Sequence, residues 1–375
     1  MGSSQKISLH TLFERTATAG IELQRQDGSF PPGNNGPYRD NTTPIRNTSN
    51  WLKILSFVFS QTGDERFKIA SNAAIEYLRQ DDHRPHGYTY RCRTNKVKDS
   101  CNGVVGQANV IEAFGRAGNY LNRPELYDYA AEIYHLHPFN KHTGVWNRVE
   151  IDGKVLSIDR TFNHQLIFAA ASSILANQIG GGIELDIRTF LDNLNANMAT
   201  HSSGIVIHRL RPYIDITSFK SIINDRSPEL FLNPILHMKD TVMSREERKM
   251  KEMGYHSVNL YWLSNLKKRM PNHKVWSSLP IDNLLNVTRR AQYRTLARQR
   301  KGWFSNIPPG FQISQSLNIL EDQPDRDEIR EWVQMAIDKH YDRSSDLFND
   351  NCDDGETFSG LLYQAIDISD IIIEI

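Results

Sequence analysis

The sequence predicts an all-α fold, an (α/α)6 toroid of six helical hairpins whose N-terminal helix closes the ring against the C-terminal one. Three observations lead there. Helices of two kinds alternate along the chain, short and long connections alternate between them, and polar residues suited to chemistry gather on the long connections.

Segment 7–27 is amphipathic, with Leu9, Leu12, Phe13, Ile21 and Leu23 on one stripe. Segment 48–60 is apolar almost all round (Trp51, Leu52, Ile54, Leu55, Phe57, Val58, Phe59). Segment 65–80 is again one-sided, setting Phe67, Ala70, Ala74, Tyr77 and Leu78 against Glu65, Lys68, Asn72 and Glu76. The alternation continues with apolar 104–117, amphipathic 125–136, apolar 162–175, amphipathic 184–198, apolar 257–268, amphipathic 282–298, apolar 312–320, amphipathic 326–340 and apolar 358–371. A helix with no wet face must be covered on all sides, whereas a striped helix keeps one side in water. The apolar segments therefore form an inner ring and the striped ones an outer ring. Helices 65–80 and 125–136 also resemble each other as text, as repeated hairpins do.

Inner-to-outer connections are mostly short and outer-to-inner ones mostly long: 28–46, 81–103, 137–160, 199–256, 299–311 and 341–357. In a ring every long connection falls on one rim, together with the N-termini of the inner helices, whose free N–H groups attract anions and hydroxyls. An open solenoid would need inner helices with a wet face. Two separate domains would need a linker, and the only long candidate, 199–256, carries apolar pieces that argue for packing. The expectation is one domain over 1–375 with a long insertion at about 199–256.

Composition bounds the function. Lys plus Arg equals Asp plus Glu at 44 each, so the basic excess of a nucleic-acid binder is missing. The basic stretch Arg289 to Lys301 reads as the wet face of a helix. No segment has the length and apolarity to span a bilayer, and the start lacks the apolar core of a secretory signal. Three cysteines without a C-x-x-C spacing argue against disulfides and zinc, so a cytoplasmic location is expected. No phosphate-loop, dinucleotide, G-x-S-x-G or H-E-x-x-H motif is found, and no cofactor or metal is expected.

The rim residues suit carbohydrate chemistry, with aromatic rings for sugar faces and amides, carboxylates and Arg for hydroxyls. A carboxylate pair could supply the acid and the base or nucleophile for glycoside cleavage. Asp99 and Asp159 are the preferred pair, with Asp354 and Glu356 next. Tyr38, Trp146 and Trp303 are expected to stack on sugar rings. Asp40, Arg46, Asn47, His86, Tyr88, Asn102, Gln107, Arg160, Asn163, His164 and Gln312 are expected to line the substrate. Arg39, Arg46, Arg148 and Arg160 suit an acidic sugar. In a second reading Tyr255 and His256 move protons at C5 while Asn259 neutralises a uronate, giving a lyase or epimerase. A third is a glycan-binding protein without catalysis.

The segments DGSFPPGNNGPYRDNTTPIRNTSNWL, DSCNGVVGQANVIEAFGRAG, HTGVWNR, RTFNHQLIFAAA and KEMGYHSVNLYW resemble the six-hairpin glycan-active proteins. They are most similar to a group linked with surface-polysaccharide or glycan pathways, and distantly to unsaturated glucuronyl hydrolases. The resemblance implies the toroid and a sugar-class ligand. It assigns no catalytic residue, because neither the aspartate motifs of the glucuronyl hydrolases nor the histidine pattern of the N-acylglucosamine 2-epimerases is matched. From the residues, then, the expected activity is glycoside hydrolysis of an oligo- or polysaccharide containing an acidic sugar.

Overall fold

The computed structural model describes residues 5–34, 40–95, 97–210, 244–299, 303–304 and 309–375. The inner ring consists of α2 (Ile45–Thr62), α4 (Gly103–Tyr120), α6 (Phe162–Ala176), α9 (Arg245–Arg269), α12 (Pro309–Leu320) and α14 (Gly355–Gly360), the last continued by a 3-10 turn Leu361–Ala365. The first five pack in succession, and α12 packs on the 3-10 turn, which with α14 packs back on α2 and closes the circle. The outer ring comprises α1 (Leu9–Leu23), α3 (Glu65–Leu78), α5 (Glu125–His135), α7 (Gly181–Asp192), the pair α10 (Ile281–Arg289) and α11 (Ala291–Gln299), and α13 (Arg326–His340). A short α8 (Leu194–Asn197) follows α7. The fold is the expected (α/α)6 toroid.

The inner helices are covered on both sides because their apolar residues point both ways. In α6 all but two of the fifteen residues are buried. Outer helices begin on side-chain caps where their sequence offers one: Asp64 accepts from Arg66 N, and Asp325 from Asp327 N and Glu328 N.

Three features differ from expectation. Helix α9 starts at Arg245, so the latter part of the segment read as an insertion is helix, opened by a Ser244–Glu247 capping box. The last inner element is shorter than 358–371 and ends in 3-10 geometry at Ala365. Small strands also appear: β1 (Lys6–Ser8) pairs antiparallel with β5 (Ile372–Glu374), and β2 (Phe139–Asn140), β3 (Val145–Val149) and β4 (Val155–Ile158) form a meander on the rim. Among the described residues no helix is long and apolar enough to cross a membrane.

Candidate active site

A recurring contact joins rim to ring. In four of the six hairpins a side chain near the start of the inner helix holds the backbone of the segment that runs in before it, and in a fifth a side chain midway along the helix does so. Thr48 Oγ1 accepts from Phe30 N at 3.0 Å, and Ser359 Oγ from Phe348 N at 3.0 Å. Gln107 accepts from Tyr90 N at 2.8 Å and donates to Tyr90 O at 3.1 Å. Gln165 does the same for Trp146, at 2.9 and 2.8 Å. His256 Nδ1 accepts from Val206 N at 3.3 Å, while its Nε2 donates to Leu284 O at 2.9 Å.

These clamps correct several expectations. Trp146 is 0% exposed, packed among Tyr134, Phe139, Phe168 and Phe190, so no sugar ring reaches it. Gln107 has its amide committed to the backbone of Tyr90 and Cys101. Both ring nitrogens of His256 are occupied, and burial pushes its pKa down to about 4, which removes it from proton transfer. Asn47 spans Pro31 O and Thr357 Oγ1. Asp354 caps α14 through Thr357 N and holds Asn34 N at 2.8 Å, tying the first rim segment to the last. Gln312 accepts from Ser257 Oγ at 2.7 Å in the core. Asn102 adopts φ 59° to turn the chain into α4. His86, Arg160 and Glu356 are exposed, and Tyr88, 43% exposed, lies over Gly153 of the β3–β4 turn. Tyr38 and Arg39 lie outside the described residues.

The carboxylates do converge. Asp99 Oδ1 accepts from Gly103 N at 3.1 Å and Asp159 Oδ2 from Val104 N at 3.4 Å, so both lie at the start of α4. Asp99 is bound by Arg93 and, at 2.7 Å, by Arg148. Burial alone would raise its pKa, but the two guanidinium groups outweigh burial and hold it below the usual range. This also uses Arg148, whose other nitrogen donates to Ser157 Oγ at 2.9 Å. Asp40 is likewise held low by Lys98 and Asn95 against the effect of burial. Asp159 pairs with His164, Nδ1 to Oδ2 at 2.9 Å, and also accepts from Thr161 N at 3.1 Å. Burial works to raise it; His164 and then Arg148 prevail and keep it well below the carboxylate range. A carboxylate on Nδ1 fixes the tautomer and leaves Nε2 as the basic nitrogen. The His164 side chain is 28% exposed.

Two further histidines, not among those expected, lie near this pair. The segment 199–210 crosses the rim, with Phe162 N donating to His208 O at 2.9 Å. Burial, followed by the charges of Lys251 and His164, lowers the His208 pKa well below its usual value, so the ring is neutral. Its Nδ1 is buried without a hydrogen-bond partner among the described residues. His208 packs on Tyr255 with ring centroids 4.7 Å apart, and Tyr255 on Trp303 at 5.9 Å. Gly254 makes room for Trp303, since a Cβ there would stand 2.5 Å from that of Trp303. His201 Nε2 meets Glu252 Oε2 at 2.6 Å, and Glu252 Oε1 accepts from His208 N at 3.3 Å. The only signal in the sequence was the pair of histidines flanking HSSGIVIH, inside a stretch read as insertion. Among the described residues no group of three His, Cys, Asp or Glu could hold a metal ion.

The described residues thus form a closed (α/α)6 ring with carboxylate-held histidines, arginines and aromatics on one rim. No family model matches the chain. It is 35% identical over 364 residues to archaeal glycosylation protein Q of Haloferax volcanii, covering 97% of this chain and 98% of that one. The chain belongs to the family of archaeal glycosylation protein Q. Among solved structures it is similar to D-mannose isomerase (TM-score 0.62, 14% identity, 96% of this chain and 95% of that one). It is also similar to an unsaturated glucuronyl hydrolase specific for heparin (TM-score 0.56, 13% identity, 95% of each chain). At these identities the likeness is one of fold.

Proposed function

We propose that the chain is a carbohydrate-active enzyme that moves a proton at a carbon of an acidic sugar, by epimerase or isomerase chemistry, with His164 as the acid–base group. The observation that carries this is the His164–Asp159 pair at the open rim of α6. Nε2 of His164 would take the proton from a carbon next to a carbonyl as the electron pair moves onto the carbonyl oxygen. It would then return the proton to that carbon or its neighbour. His208, neutral and with Nδ1 unpartnered among the described residues, is a second imidazole within electrostatic reach of His164. Arg46 favours an acidic sugar: no ion pair engages it among the described residues, and its Nη1 is buried without a partner. The name of the Haloferax relative, a glycosylation protein, supports a glycan-building setting, and D-mannose isomerase supports this chemistry on the same fold.

Hydrolysis is the second reading, favoured by the convergence of Asp99 and Asp159 at α4. It needs one carboxyl kept protonated to supply the leaving oxygen. Both are instead held below the usual range, which weighs against it.

Incubation with uronates and neutral hexoses in heavy water separates the two. The enzyme is expected to place carbon-bound deuterium in the sugar, and His164→Asn to slow this by about 10²-fold or more. Release of reducing ends without deuterium, abolished by Asp159→Asn, would establish hydrolysis instead.

A further inference from the structure

Away from the acid–base pair, one aromatic ring stands open on the rim. Tyr88 is 43% exposed. A single exposed tyrosine is ordinary on a protein surface; this one differs in how it is held. A Cβ placed on Gly153 would lie 2.6 Å from Cζ of the ring and 2.7 Å from both Cε1 and Cε2, so the glycine meets the flat face. Gly153 has φ 85°, and its N–H donates to Glu150 O at 2.9 Å, while Glu150 N donates to Lys154 O at 2.9 Å, which fixes the turn. The backbone beside the ring is fixed as well. The Arg84 guanidinium donates to Tyr88 O and, at 2.8 Å, to Gly87 O, and is itself held by Glu132 at 2.6 Å. Thr89, fully buried, donates to Val149 O of β3 at 3.1 Å. One face of the ring is therefore seated on a glycine and the other looks to solvent. The ordering of a flexible side chain, normally a cost of binding, is met before any ligand arrives.

From this seat an exposed track runs to the acid–base pair. Alternate residues of a strand share a face. Along β4 and the residue after it these are Val155, Ser157 and Asp159. Val155 is 49% exposed and Ser157 is exposed, while Asp159 turns in to His164 at 2.9 Å. Arg148 joins the same track, donating to Ser157 Oγ at 2.9 Å and to Asp99 Oδ2 at 2.7 Å. At about 3.3 Å per residue, Gly153 and Asp159 are up to about 20 Å apart. No single sugar unit bridges that distance, whereas an oligosaccharide does.

We infer that Tyr88 is a distal stacking subsite, and that the substrate is a glycan of several units reaching from His164 along the exposed face of β4 to this ring. A sugar ring fits the patch because it offers an apolar face to the tyrosine and hydroxyls to the polar groups beside it. The apolar surface is limited to Tyr88 and Val155, and Asp152, Lys154 and Ser157 border them in sequence. A lipid or an apolar peptide would need a wider apolar patch. The inference deepens the reading above and rests on it only in taking the ligand to be a glycan anchored at His164.

Calorimetry on the full chain tests it, with oligogalacturonates and α-1,6-linked oligomannosides of one, two, four and six units as probes. For the class that binds, affinity should rise between two and six units by about fivefold or more, the size of one aromatic contact. Tyr88→Ala should lose that gain. Tyr88→Phe, which keeps the ring, should retain it. The inference is overturned by affinity that does not change with length, by a gain that Tyr88→Ala keeps, or by no binding of any probe. Deuterium exchange with the same probes keeps the two readings apart. Length-dependent binding through Tyr88 without exchange in the native enzyme removes the proton-transfer reading and leaves the subsite standing. Exchange with affinity indifferent to length does the reverse.

Discussion

His164, near the start of α6, and His256, midway along α9, differ in what their nitrogens meet. Asp159 takes one nitrogen of His164 and leaves the other basic, whereas backbone groups take both nitrogens of His256. The consequence shows in acid. His256 is held at about 4 in the folded chain by burial, against an ordinary value of 6.5. Below about 6.5 the unfolded chain binds a proton that the folded chain refuses, so stability present at neutral pH is lost as pH falls from about 6.5 to about 4. His137, also lowered to about 4 by burial, adds a second group of the same sign. His256→Gln can keep hydrogen bonds but cannot titrate. Urea unfolding at pH 7 and pH 5 should show a smaller loss of stability on acidification for this variant than for the native chain. An equal loss in both would show that His256 does not titrate as described.

At the scale of an element, the junction into α4 is the most constrained. Asn102 and Gly103 both have positive φ, 59° and 60°, and a Cβ on Gly103 would lie 2.3 Å from Asp159 Oδ2. The glycine is required both by its backbone conformation and by the carboxylate beside it. Gly103→Ala is expected to push Asp159 off His164, cutting deuterium exchange at least tenfold at a cost of about 1–3 kcal/mol. Exchange kinetics and thermal melting of the purified variant check both halves. The inner helices were legible because apolarity all round has one structural meaning. The rim meander was less so. Its turn signal, Asp152-Gly153, stands between short runs with period-2 alternation, yet two to five residues per strand give too little pattern to outweigh a loop reading. The start of α9 was hidden because REERKMKE is charged and reads as insertion until its apolar continuation is packed.

At the scale of the molecule, closure is carried by the two chain ends. Strands β1 and β5 pair in register from Lys6↔Glu374 to Ser8↔Ile372. Asp367 ties the last inner element to α4 through Arg116 at 3.0 Å and to α9 through Lys268 at 2.7 Å. Burial works to raise the Asp367 pKa, and Arg116 and Lys268 overcome it and keep the group ionised. Removing one charge from a buried network leaves its partner uncompensated, which costs about 3–5 kcal/mol. Asp367→Asn should lower stability by that order in denaturant unfolding. A change within experimental error would mean that the ring closes without this contact.

The ring was written in local patterns: the alternation of all-round and one-sided apolar helices, and the placing of the long connections, persist whatever the chain packs against. The sequence also placed Asp99, Asp159 and His164 on one rim. Which of those polar residues stay free for chemistry is a matter of packing. Whether Trp146 faces sugar or core, whether Gln107 binds a hydroxyl or a backbone, and whether a histidine keeps a basic nitrogen all depend on partners far away in the chain. A side chain's hydrogen-bonding capacity is finite, and spacing along one strand of sequence does not reveal what has already used it.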